Sequence, residues 1–171
     1  LMAVLGQTVR ARRPLAAAAG YVFVVDDQLP KPQSLRPGCY LVRPPRVGLD
    51  GRMLREQADR EEVPVIVLVR EPTTRKGEWP LVALGPVTVR AYVSPPVPPA
   101  KKRGKKKIGV ATRTAVDEPE SAMPTLEWFF AASEALGDAA IESVDSGRSI
   151  VAQIEELWLR LQAIPDHEKL H

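Results

Sequence analysis

SPPVPPAKKRGKKK, residues 94–107, decides how the chain is read, because strand-like patterning ends before it and helical patterning begins after it. Pro95, Pro96, Pro98 and Pro99 have a fixed φ and no N–H to donate, which favours an extended, semi-rigid spacer. Lys101, Lys102, Arg103, Lys105, Lys106 and Lys107 follow, interrupted only by Gly104. Clustered cations repel one another and resist packing into a core. Five of the chain's eight lysines lie in this block, while elsewhere positive charge is nearly always arginine. The block therefore reads as a linker or arm.

Working back from it, Val87, Val89, Ala91 and Val93 alternate with Thr88, Arg90 and Tyr92, the pattern of a half-buried strand. Val63–Val69 and Trp79–Leu84 flank the polar turn Glu71–Glu78, which contains Gly77, and predict a hairpin. Tyr21–Val25 predicts a buried strand ended by Asp26-Asp27. Cys39–Arg43 stops at Pro44-Pro45 and reads as a short or edge strand. Residues 50–62 hold eight charged residues in thirteen, which predicts a loop or a short exposed helix. Met2, Leu5 and Val9 give residues 1–19 the pattern of a short helix, stopped or kinked at Pro14; the opening leucine leads us to expect a preceding segment. Four or five strands with short connections and no helical crossover point to a small antiparallel sheet or open barrel.

After the block the period changes. Leu126, Phe129, Phe130, Ser133, Leu136, Ala140, Ile141 and Val144 fall on one stripe of a helix over Thr125–Val144, with Pro124 suited to its first position. Asp145–Gly147 makes a break, and Ser149 is a cap for a second helix. There Ile150, Ile154, Leu157, Leu161 and Ile164 form a coiled-coil-like seam, widened by Val151 and Trp158. Two helices alone bury too little, so the stripe must pack on the sheet, on another copy or on a partner. Ile150, Ile154, Leu157, Trp158 and Leu161 are the candidate partner interface. The expected class is α+β: an N-terminal segment over residues 1–19, an antiparallel β-domain over 20–93, a Pro-rich basic arm over 94–113 and an acidic helical hairpin over 114–171.

The 44% hydrophobic and 26% charged content of the 171 residues excludes a disordered chain. No apolar run approaches the roughly 20 residues of a membrane span, so no membrane partner is expected. Cys39 is the single cysteine, which excludes an internal disulfide and fits a reducing, cytoplasmic compartment. Residues 1–93 carry 14 Lys+Arg and 9 Asp+Glu, residues 94–113 carry 7 and none, and residues 114–171 carry 3 and 12. A basic arm thus adjoins an acidic segment, which gives the arm two possible partners: an external polyanion or its own neighbour.

Lysines so arranged bind phosphate backbones by displacing counterions, without reading sequence. The same run resembles a monopartite nuclear import signal, which implies a nuclear location, and Pro95–Lys101 resembles an SH3-binding proline motif. The plainer reading is a solvated linker facing the acidic helices. His167-Glu168-Lys169-Leu170-His171 spells H-E-x-x-H and resembles the zinc metallopeptidases. That resemblance implies His167 and His171 as zinc ligands one helical turn apart, with Glu168 as the base beside the metal-bound water. The stretch departs from the family at Lys169, where an apolar or small residue is usual, and at Pro165-Asp166, which starts a helix here. With the sequence ending at His171, no third ligand downstream is expected. Val24-Val25-Asp26-Asp27 resembles the acidic strand end of response-regulator receivers, where paired carboxylates hold magnesium, but prolines then replace the expected helix. Carboxylates ending a strand at the surface are the plainer reading. Cys39 has no histidine near it in sequence, and Trp128, Phe129, Phe130 and Trp158 sit among acidic residues that disfavour phosphate.

The expected role is non-enzymatic: an adaptor or assembly component of a nucleoprotein complex, with no cofactor. The arm touches DNA or RNA, and the C-terminal helices hold a protein partner or a second copy. A zinc metallopeptidase fragment and a purely structural oligomer are the alternatives.

Overall fold

The computed structural model describes residues 11–97 and 123–167. Residues 11–17 form helix α1, which runs through Pro14 rather than stopping there. Then come strand β1 (Val22–Val25), a 3-10 turn (Pro32–Ser34), β2 (Gly38–Val42), α2 (Gly48–Arg60), β3 (Val65–Arg70), β4 (Trp79–Leu84), β5 (Thr88–Val93), α3 (Leu126–Glu142) and α4 (Ile150–Ala163). The α+β class holds, but the sheet is mixed and open rather than antiparallel or barrel-like. Its order is β1-β2-β3-β4-β5. The first three strands are parallel, with Val22 beside Cys39 and Cys39 beside Ile66, and β4 and β5 are added antiparallel.

Helix α2 explains the difference. Parallel neighbours need a connection that returns the chain to the starting end, usually a helix, and α2 supplies it between β2 and β3. Its six charged residues mask a narrow inner face: only Gly51, Leu54 and Ala58 are buried. Gly51 lies so close to Val69 that a Cβ would overlap the valine side chain. Asp50, in the first turn, accepts from the Val47 N–H at 2.8 Å and caps the helix.

Strand β2 is an inner strand rather than an edge strand, and all five of its residues are buried. Alternation sends Cys39 and Leu41 to one face of the sheet and Tyr40 and Val42 to the other. Tyr40, Val42, Val65, Val69 and Val82 pack with Leu54 and Ala58 of α2. On the opposite face Cys39, Leu41, Ile66, Leu81, Val89 and Ala91 share a core with Ala16 of α1 and with Phe129, Ala132, Leu136 and Ala140 of α3. The result is three layers, with helices on both sides of the sheet.

Thr125 rather than Pro124 opens α3, its hydroxyl accepting from Trp128 N–H at 3.2 Å. Ser149 caps α4 as its sequence predicts, accepting from Ala152 N–H at 3.3 Å. The indole N–H of Trp128 donates to the Ser94 carbonyl at 2.9 Å. The chain on the two sides of the basic block is therefore tied together at the end of β5. The block's cations and the rest of residues 98–122 lie outside the described residues. Among the described residues, no helix is long and apolar enough to cross a membrane.

Candidate functional site

Among the described residues, helix α4 joins the core by one end only. Leu161, Ala163 and Ile164 are buried. Gly85, at the end of β4, is packed so tightly on this end that a Cβ there would lie 2.7 Å from Ala163 Cα. The other end stands clear: Ile150 is 75%, Ile154 60% and Trp158 44% exposed, with Val151 beside them at 67%. Of the candidate interface residues, Leu161 thus faces inward, Leu157 is half-buried, and Ile150, Ile154 and Trp158 form an open row on successive turns. Glu156 is held within the helix region, accepting from Arg148 at 3.3 Å and pairing with Arg160.

Beyond α4 the chain turns inward and builds a polar cluster that the sequence does not disclose. The His167 ring is sealed from solvent against Gly137 of α3. Its Nε2 is 3.1 Å from Glu134 Oε2 and 3.7 Å from Asp138 Oδ1, two carboxylates one turn apart on α3. Arg13 of α1 pairs with the same Glu134. Next to His167, Asp166 is buried with Oδ1 3.6 Å from Arg12, which also pairs with Asp59 of α2 at 3.1 Å. Burial raises the Asp166 pKa against the pull of Arg12 and Arg55.

Arg55 of α2 donates to the Ala163 carbonyl at 2.7 Å and the Leu84 carbonyl at 2.9 Å, and burial lowers its pKa. The cluster therefore fastens α1, α2, α3, the end of β4 and the tail after α4 to one another. Cys39 feels Asp166 and Arg13, but burial dominates and pushes its thiol up to about 12. A thiol held protonated is not a nucleophile at neutral pH. The cluster's chemistry is that of a clamp.

His167 occupies a turn after α4, and Glu168 and His171 lie outside the described residues. At the end of β1, Asp26 accepts from Arg43 at 3.0 and 2.6 Å, and that hydrogen bonding lowers its pKa. The Asp27 carbonyl accepts from Arg46 at 2.8 Å. The acidic strand end is therefore answered by arginines. Among the described residues, no group of three His, Cys, Asp or Glu side chains could hold a metal ion. The cations Lys101, Lys102, Arg103, Lys105, Lys106 and Lys107 lie outside the described residues. Comparison with protein-family models, curated proteins and solved structures finds no match to this chain.

Proposed function

We propose that the protein is a non-enzymatic assembly component of a nucleoprotein complex, docking protein through α4 and contacting nucleic acid through its basic arm. The observation that carries this reading is the open row Ile150, Ile154 and Trp158 on a helix that, among the described residues, is anchored only at its far end. Contiguous apolar surface of this kind marks an interaction site.

The occupant we propose is a second copy of the chain. The row is spaced evenly about Ile154, so a two-fold axis there lays Ile150 of one copy over Trp158 of the other. Self-complementary two-fold contacts are the commonest in oligomers. Glu156 is already satisfied by Arg148 and Arg160 within each copy, so it does not set the two faces against each other. The nucleic-acid half of the reading rests on sequence: six cations in residues 101–107, suited to counterion release from a phosphate backbone.

Sedimentation equilibrium of the full chain tests the docking face. A concentration-dependent dimer is expected, abolished by Ile154→Asp with the circular dichroism spectrum unchanged. A wild-type chain that stays monomeric at every soluble concentration, or a dimer indifferent to Ile154→Asp, overturns it.

A further inference from the structure

Strand β5 is the outer strand on its side of the sheet, and among the described residues only one of its faces is covered. Val89 and Ala91 turn toward α3, whereas Thr88, Arg90 and Tyr92 are exposed on the opposite face. Helix α2 covers β3 and β4 on that face and leaves β5 open. Tyr92 is 59% exposed and pairs across the ladder with Pro80. The hairpin turn between β3 and β4 stands beside it, so Tyr92, Thr74, Arg75, Lys76 and Glu78 line an open groove of about 520 Å³.

The turn is built, not loose. Thr74 N–H donates to the Glu78 carbonyl at 2.9 Å, Glu78 N–H donates to the Thr74 hydroxyl at 3.1 Å, and Gly77 takes a positive φ of 81° that a side chain would strain. Arg75 and Lys76 are exposed at its tip, and neither makes an ion pair among the described residues. The nearby Glu71 carboxylate is taken by Arg90 at 3.0 and 2.8 Å. That leaves Glu78 as the one acidic side chain lining the groove against two cations.

We infer that this groove is a single-stranded nucleic-acid site, with Tyr92 as a stacking platform for one base and Arg75 and Lys76 as anchors for the adjoining phosphates. The inference rests on the nucleic-acid half of the proposed function and gives that reading a place on the folded body. An exposed aromatic ring flanked by free cations is the combination that single strands use, because every unpaired base has a face to stack and a phosphate to neutralise. Duplex bases are already stacked and gain nothing from Tyr92. Charge continuity points the same way. Lys101 follows Tyr92 by nine residues, so the first cation of the arm lies within about 30 Å of the ring.

The test uses the full chain, a labelled single-stranded 20-mer and the duplex of the same sequence, with binding followed by anisotropy. Loss of one stacked base predicts that Tyr92→Ala weakens single-strand binding by about 5- to 150-fold, while Tyr92→Phe restores it and duplex affinity is unchanged. Arg75→Ser with Lys76→Ser lowers the salt slope on the single strand by about 1.4. Melting curves confirm that each variant is folded. Equal single-strand affinity for wild type and Tyr92→Ala, with binding lost on changing the arm lysines to serine, overturns the groove and leaves the arm reading standing. Binding of neither oligonucleotide by the wild type overturns both.

Discussion

The His167 ring lies against Gly137 with no room between them: a Cβ at position 137 would fall inside the imidazole. A residue of α3 and one beyond α4 thus close the C-terminal tail under the sheet, with Glu134 and Asp138 on either side of the glycine meeting the ring nitrogen.

Gly137→Ala sets two effects against each other. Alanine favours a helix interior by up to about 1 kcal/mol over glycine. Overpacking a filled site costs about 1–3 kcal/mol, and the His167 ring is fully buried. The variant is expected to melt lower, by about 2–4 °C per kcal/mol for a chain of this size. Adding His167→Ala should relieve the overlap, so the two changes together destabilise by less than the sum of their separate effects. A Gly137→Ala protein as stable as wild type would show that the ring is not seated there.

Asp166 gives the stability a pH signature. Its folded pKa is raised above the ordinary 3.8, chiefly by burial. In the window from 3.8 up to that folded value the native state holds a proton the unfolded chain has released, so this group's contribution falls as pH rises and is most favourable in acid. Asp26, whose pKa Arg43 lowers, acts in the opposite sense, its contribution being lost as pH falls. It is common to wild type and variant and cancels in their difference. Urea unfolding of wild type and Asp166→Asn should therefore show wild type losing ground as pH rises from below 3.8 and the gap then becoming constant. A gap independent of pH would contradict the burial of this carboxyl.

Two residues seven apart on α4 should separate folding from association. Leu161 is buried, and Leu161→Ala should cost about 2–5 kcal/mol of stability in chemical denaturation. Ile154 is exposed, and Ile154→Ala should change monomer stability by less than about 0.5 kcal/mol while weakening the dimer. Equal stability losses from the two would place Ile154 in the core.

The hairpins of β3, β4 and β5 are legible in the sequence because period-two alternation and a Gly77 turn fix them locally. The parallel pairing of β2 with β3 is not, since it depends on α2, whose buried side is Gly51, Leu54 and Ala58. A glycine and an alanine leave almost no apolar stripe to find, and the charged outer face dominates the pattern. The spacing of Ile150, Ile154, Leu157 and Leu161 marks α4 as amphipathic. Which half is covered is set from far along the chain, by Gly85 under Ala163 and by Arg55 bonding the Ala163 carbonyl. The clamp around His167 was hidden for the same reason: its nearest sequence neighbours spell a zinc motif, while its spatial partners are Glu134 and Asp138 on α3, with Arg13 beside Glu134 and Arg12 beside Asp166. Tyr92 is legible as an outward residue of β5, but the hairpin cations beside it come only with the fold.

The central claim, that this is a nucleic-acid-binding assembly component, is tested most directly by the salt dependence of duplex DNA binding by the full chain. Six cations in residues 101–107 predict a slope of log K against log salt of about −5 when fully engaged, made shallower by competition from the acidic helices. Changing Lys101, Lys102, Lys105, Lys106 and Lys107 together to serine should flatten that slope and weaken binding equally for every sequence. An unchanged slope and affinity in the serine variant, or no binding by the wild type at low salt, would contradict the account.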